Sequence, residues 1–341
     1  MLKRINYRNL VETLEKFYLK KTIQKIVDSL HVHRQSNDSN ILIYSTPRSG
    51  STLLMDVIAL NPKIKAIDEP LHRRGKKKNL SKHIENVRWR YISLIPQEKK
   101  GLKDYFNYLL EERMSNYPVT SKQHHWFTER SVIKCLRMPG QEQWLMDNFD
   151  FKTIYLIRHP IPASLSRIRN GWNVSRRETL FQDFFNSKYY RNNVFTKEVE
   201  SYVKDKIRTG SDLDLQVIQW CLENIRTLKN LEQFDNLILL TYEELTLKSD
   251  EVIDFLSDYL NLPEVDAMKR LIDKPSNSSA YSLSDTKEAI QQHEKKYLVE
   301  KWKNEVTTEQ EESVTEILNV FGIEMYDGEN IYPASRYQRF I

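Results

Sequence analysis

The sequence predicts an α/β fold: a parallel, doubly wound sheet of about five strands, with an anion cradle resembling a P-loop and an inserted helical lobe for the substrate. Three observations predict it. Five short apolar runs, rich in Ile, Leu and Val and not strictly alternating, read as strands covered on both faces. Helical patterns separate these runs, which makes the sheet parallel through βαβ crossovers. The first run leads through "TPRSGST" straight into the helical stretch "LLMDVIAL", the strand–turn–helix order of a phosphate-binding loop.

The elements follow in order. Residues 7 to 30 place Leu10, Leu14, Phe17, Tyr18, Ile23, Ile26, Val27 and Leu30 at near-helical spacing among many lysines. The apolar face of this basic helix suits packing on its own domain or on a partner subunit better than a membrane surface. The polar stretch "HRQSNDSN" (33 to 40) reads as a linker. The expected strands are "ILIYS" (41 to 45), "IKAID" (64 to 68), "SVIKCL" (131 to 136), "TIYLI" (153 to 157) and "LILLT" (237 to 241). Between the second and third, residues 71 to 100 carry ten lysines and arginines, read as a solvated loop or a substrate-attracting one.

The section from 172 to 210 is rich in aromatics, with Phe181, Phe184, Phe185, Tyr189, Tyr190, Phe195 and Tyr202, and forms the expected inserted lobe as core, pocket wall or both. Residues 274 to 287 read as a polar loop suited to a lid, and 288 to 326 as helical again. The division expected is a helix and linker over 1–39, a main domain over 40–326 and a tail over 327–341.

Composition narrows the partners. The chain has 341 residues, 40% hydrophobic and 29% charged, enough for a sizeable core. A net charge of +5 is too mild to imply nucleic acid, yet suits an anionic ligand. Cys135 and Cys221 both sit in apolar periodic segments, so a reducing compartment fits better than a disulfide framework. No run approaches the roughly 18 apolar residues of a membrane span, and the first residues lack a signal-peptide core. A cytoplasmic protein is expected.

In "PRSGST" the backbone N–H groups of Ser49, Gly50, Ser51 and Thr52 fall at a helix N-terminus, where the free donors and the helix dipole favour an anion. Gly50 permits close approach, Ser51 and Thr52 add hydroxyls, and Arg48 adds a forked cation. The pattern of an ATP or GTP P-loop, G-x-x-x-x-G-K-[ST], fails at two places: Gly50 stands where the lysine belongs and Ser45 where the first glycine belongs. A Walker-B-like acid finds little support as well, because the fourth strand runs into Arg158 and only Glu243 comes near the fifth. No metal site is expected. A second anion signal is "TIYLIRHPIPASLSRIR" (153 to 169), which brings Arg158 and Ser166 to the carboxyl edge of the sheet. Two anion sites on one sheet suit a nucleotide phosphorylated at two positions.

These residues resemble the sulfotransferases that use 3′-phosphoadenosine 5′-phosphosulfate (PAPS) and release 3′,5′-ADP. "PRSGSTLL" is similar to their 5′-phosphosulfate loop and "LIRHPIPASLSRIR" to their 3′-phosphate motif. "LLTYEELTLKSDEVIDFLSDYLNLPE" (239 to 264) resembles their "YEDL" segment, and "EKWKNEVTTEQEESVTEIL" (300 to 318) their C-terminal Trp-Lys region. The resemblance spans residues 40 to 325. It implies PAPS as the donor, Arg48 and Ser49 to Thr52 on the 5′ side, and Arg158 with Ser166 on the 3′-phosphate. The acceptor would be a hydroxyl or amine of a small molecule or carbohydrate.

The chain departs from the cytosolic branch, which has a lysine at Arg48, an adenine-stacking tryptophan at Leu53 and a catalytic histidine at Leu136. The "EP" pair in "IKAIDEPLH" resembles instead the carbohydrate and bacterial branch, implying Glu69 as the base. A base in that position contributes about 10² to 10⁴-fold. His72 is a weaker alternative, His159 in its His-Pro turn reads as structural, and Lys134 either approaches the sulfuryl group or snorkels to solvent. Two other readings stay open: a phosphoryl transferase with a degenerate P-loop, and a non-enzymatic anion-binding module. Oligomeric state is not legible.

Overall fold

The central strands of the sheet are buried on both faces, and that explains why their sequences read as continuous apolar runs. The computed structural model describes residues 30–73, 79–111, 121–172, 179–273, 292 and 294–341. The helix expected over residues 7 to 30 lies outside these except for Leu30, as do the polar loop at 274 to 287 and residues 74–78 of the basic segment. In chain order, β1 (Val32–His33) and β2 (Asn40–Ser45) lead to α1 (Ser51–Ile58), β3 (Lys63–Asp68) and α2 (Pro96–Glu111). Next come β4 (Phe127–Cys135), α3 (Glu142–Asn148), β5 (Phe151–Ile157) and α4 (Pro160–Arg169). The insertion holds α5 (Gln182–Phe185), α6 (Lys188–Asn193), α7 (Lys197–Thr209) and α8 (Asp212–Lys229). After β6 (Leu237–Thr241) follow α9 (Tyr242–Leu247), α10 (Ser249–Leu260), α11 (Val265–Ile272), α12 (Lys295–Glu300) and α13 (Thr308–Phe321).

All strand pairs are parallel, in the order β3-β4-β2-β5-β6, with β1 paired to the first two residues of β4. The five expected strands are present. β4 begins earlier than expected, and the two-residue β1 was not foreseen. The stretch expected as a linker runs beside β4, where Arg34 N–H donates to Thr128 C=O at 2.9 Å and Ser36 N–H to Glu129 C=O at 2.9 Å.

Period-2 alternation divides the core. Ile41 and Ile43 of β2 face α1, α10 and α11, packing with Leu54, Ile58, Ile253 and Met268. Leu42 and Tyr44 face the opposite layer, formed with Ile161 of α4, Trp220 of α8 and Ile317 of α13. Phe181, Phe184, Tyr190 and Phe195 of the insertion are buried in that same layer, and Tyr190 Oη donates to Leu222 C=O at 2.6 Å. These four aromatics are therefore core of the lobe and not pocket wall. Cys135 and Cys221 are buried and unpaired, and burial pushes the Cys135 thiol up to about 12. Among the described residues no helix is long and apolar enough to cross a membrane.

Residues 327–341 are fastened to the carboxyl edge of the sheet. Thr241, the last residue of β6, caps α9 in a capping box with Glu244, whose other oxygen accepts the N–H groups of Arg339 and Phe340. On α4, the His159 ring stacks on Trp302 at 4.6 Å. Its Nδ1 accepts from Ile161 N–H, so Nε2 carries the proton and donates to the carbonyls of Asp327 and Asn330. Burial lowers its pKa from 6.5 to about 3. The folded protein thus holds His159 neutral while the unfolded chain protonates it. Its contribution is complete above pH 6.5 and is lost as pH falls toward about 3, at roughly 1.4 kcal/mol per pH unit. Urea titrations between pH 7 and pH 4 should show a shallower acid loss of stability in His159→Gln than in wild type; parallel curves would refute this assignment.

Candidate active site

The loop 46–50 leaves β2 at the point where its neighbours β4 and β5 run off to opposite sides, the switch point where ligands bind in open α/β sheets. Two of its residues are left-handed, Arg48 at φ 76° and Gly50 at φ 87°. For arginine this conformation costs about 1–2 kcal/mol. Hydrogen bonds from the second anion motif hold it. Arg158 Nη1 donates to the Arg48 carbonyl at 3.3 Å, and Arg167 Nε and Nη2 donate to the Pro47 carbonyl at 3.4 and 3.3 Å. In return, Arg48 Nε donates to Ser166 Oγ at 2.9 Å. The two sequence motifs, about 110 residues apart, thus form one site.

Its electrostatics favour an anion. Among the described residues neither Arg48 nor Arg158 has a carboxylate partner within ion-pair distance, and Arg158 Nε is buried without a hydrogen-bond partner. Burial, and then the Arg158, Arg169 and Arg167 cations, depress the Arg48 pKa, so an arriving anion would relieve both strains. The backbone N–H groups of residues 48–52 donate to no protein acceptor among the described residues, as expected at the start of α1. The Arg158 guanidinium lies 4.1 Å over the Tyr242 ring, which also closes on Gly50: a Cβ there would come within 2.7 Å of that ring.

The opposite wall comes from the ends of β3 and β4. Glu69 follows β3 with φ 39°, and its N–H donates to the Lys134 carbonyl at 3.1 Å. Lys134 does not snorkel to solvent. Its Nζ is 2.7 Å from Asp68 Oδ1, 3.8 Å from Glu69 Oε1, and donates to Thr52 Oγ1 at 2.9 Å. With that oxygen accepting, the Thr52 O–H remains free to donate. Ser49 is buried with its hydroxyl 3.3 Å from that of Thr46, and Ser51 is buried at the first turn of α1. The other Glu69 oxygen is 3.6 Å from Arg137 Nη2. All eight residues expected at the site therefore lie on this edge: Arg48, Ser49, Gly50, Ser51 and Thr52 in the loop, Arg158 and Ser166 behind it, and Glu69 joined to it through Lys134.

Other residues find different places. His72 lies edge-on to Trp89 at 5.8 Å. Glu243 is buried, accepting from His159 N–H at 3.1 Å and Tyr326 Oη at 2.9 Å, and burial raises its pKa. It serves the fold. Sequence reasoning missed the support behind the loop. Glu223 of α8 pairs with Arg167 at 2.8 Å and Arg90 at 3.0 Å, and accepts from Gln219 at 2.9 Å. Burial opposes its charge, yet the two arginines hold its carboxyl below the usual range. Arg137 was missed as well, although it follows a strand end as Arg158 does, the same signal that singled out Arg158.

A family model described as the sulfotransferase domain matches residues 38–328, and the chain belongs to the sulfotransferase family of enzymes. Sulfotransfer in general is the activity of that family. A search of curated proteins finds no match. Among solved structures, the chain is similar to the sulfotransferase domain from the Synechococcus PCC 7002 olefin synthase, at 17% identity and a TM-score of 0.45, covering 86% of this chain and 97% of that one. The sulfotransferase domain from the curacin biosynthetic pathway gives 16% identity and a TM-score of 0.43, covering 85% and 99%. Mouse sulfotransferase SULT7A1 complexed with PAP gives 14% identity and a TM-score of 0.41, covering 87% and 86%.

The geometry at Gly50 yields a direct test. Gly50→Ala combines a left-handed backbone with a clash against Tyr242 and should cost at least about 1–2 kcal/mol of stability. Unchanged chemical denaturation and an unchanged response to 3′,5′-ADP would show the loop to be more permissive than drawn.

Proposed function

We propose that the protein transfers a sulfuryl group from PAPS to a hydroxyl or amine of a small molecule or carbohydrate, within a catalytic domain over 40–326. The bond from Arg48 Nε to Ser166 Oγ supports this most, because it brings a 5′-type and a 3′-type anion motif into one cleft. The partnerless Arg158 Nε and the free N–H groups of residues 48–52 are the donors that a doubly phosphorylated nucleotide requires. Buried free cysteines suit a reducing compartment, and the cytoplasm is the location we propose.

When bound, PAPS supplies an electrophilic sulfur on a phosphate leaving group. The Ser49 to Thr52 amides would hold the 5′-phosphate, and Arg158 and Ser166 would hold the 3′-phosphate. Arg48 and Lys134 would supply positive charge to the transferring group. Glu69 accepts the proton from the attacking oxygen or nitrogen. Its place one residue beyond β3, with the backbone tied to Lys134, limits its motion and lets it act in a set direction. With Leu136 leaving no histidine at the end of β4, Glu69 is the base we assign.

Thermal-shift titration tests the donor. 3′,5′-ADP should stabilise the protein well beyond 5′-AMP or ATP; a preference for ATP that vanishes with EDTA would favour phosphoryl transfer instead, and no nucleotide response would favour the simple anion-binding module. With PAPS and an acceptor, Arg48→Ala should lose roughly 10² to 10³ in turnover and also weaken 3′,5′-ADP binding. Glu69→Gln should lose about 10² to 10⁴-fold while binding 3′,5′-ADP normally, and wild-type turnover in that variant would eliminate Glu69 as the base.

A further inference from the structure

Between Glu69 and the Pro47 carbonyl, two guanidiniums share one indole. Arg137 and Arg167 each lie 5.9 Å from the ring centroid of Trp172, which follows α4 and whose carbonyl is held by Gln216 at 3.0 Å. Both are almost wholly buried. Each nevertheless keeps a donor with no acceptor among the described residues: Nε of Arg137 and Nη1 of Arg167. Arg137 also stacks on Trp89 at 4.1 Å, so its guanidinium plane is fixed before any ligand arrives.

Among the described residues the ion count here is one carboxylate short. There Arg90, Arg137 and Arg167 face Glu223 and Glu69, and Glu223 is already shared between Arg90 and Arg167. Glu69 reaches Arg137 at 3.6 Å, outside good hydrogen-bond distance. A buried guanidinium donor without an acceptor is costly, and a fold that keeps two of them beside a reaction centre has them for a ligand oxygen. The shortage doubles during the reaction proposed above, since Glu69 loses its charge when it takes the acceptor's proton.

We infer that the acceptor carries a carboxylate near its nucleophilic hydroxyl or amine, and that Arg137 and Arg167 bind this carboxylate against the Trp172 indole. Neutral sugars and simple alcohols then lack the contact that holds the nucleophile toward Glu69. The aromatic walls, Trp89 and Trp172, suit a flat or apolar body behind the carboxylate. The inference rests on the sulfotransferase reading of the same site and deepens it to an acceptor class.

The experiment uses the protein saturated with 3′,5′-ADP, titrated calorimetrically with 4-hydroxybenzoate, 4-hydroxyphenylacetate and 3-(4-hydroxyphenyl)propanoate, and with the methyl ester of each. The series varies the spacing between carboxylate and hydroxyl, and each ester removes the charge at the cost of one added methyl group. At least one acid should bind about tenfold or more tightly than its ester, a difference of about 1.4 kcal/mol. Arg137→Gln should reduce that preference to about twofold while leaving 3′,5′-ADP affinity intact. If no acid outbinds its ester, or if the preference survives in Arg137→Gln, the inference is overturned; the wild-type comparison decides even if the variant does not fold. Failure of 3′,5′-ADP to bind at all would instead remove the donor reading on which it rests.

Discussion

The structure depends on one constraint, that the chain between Pro47 and Gly50 is held in a conformation arginine disfavours. Two successive carbonyls, those of Pro47 and Arg48, are taken by guanidiniums from the segment following β5. That tie turns the carbonyls back toward the helical layer and leaves the amides of the next residues facing outward at the start of α1. An ordinary turn would need no such support. Here two arginines, one buried carboxylate on α8 and a tyrosine beneath Gly50 all serve a stretch of about four residues, which is the distribution of strain expected at a functional site.

The same edge couples the two halves of the proposed chemistry. Lys134 lies between the Thr52 hydroxyl and the Asp68 and Glu69 carboxylates, so the group at the start of α1 and the group beyond β3 share one cation. Parallel pairing sets this up, because Asp68 stands opposite Lys134 in the β3–β4 register. A one-residue slip of β3 would turn Asp68 to the other face of the sheet. Alignment of the proposed site is therefore a consequence of strand register.

The strands, the loop and the meeting of the two motifs on one sheet edge were legible in the sequence because each is local: apolar runs of strand length, one glycine before a helix, an arginine just past a strand end. The place of Glu69 just beyond a strand was legible in the same way. Glu223 was not, since nothing around "CLENIRTL" distinguishes a glutamate that meets two buried arginines from one on a solvated helix face. Trp172 and Trp89 were opaque for a related reason: their value lies in being close to the same guanidinium from segments 83 residues apart in the chain. In the aromatic insertion the pattern was legible but its use was not: of core and pocket wall, Phe181, Phe184, Tyr190 and Phe195 are core.

Adjacent carboxylates on α9 are committed to the carboxyl-terminal stretch, Glu244 through the amides of Arg339 and Phe340, and Glu243 through Tyr326 and the His159 amide. His159 is the residue after Arg158, and its ring holds the carbonyls of Asp327 and Asn330. The last stretch of polypeptide thereby works as a latch behind Arg158. Trimming it, by a protease or an early stop codon, would loosen the proposed nucleotide site from a distance, without removing any group assigned to it.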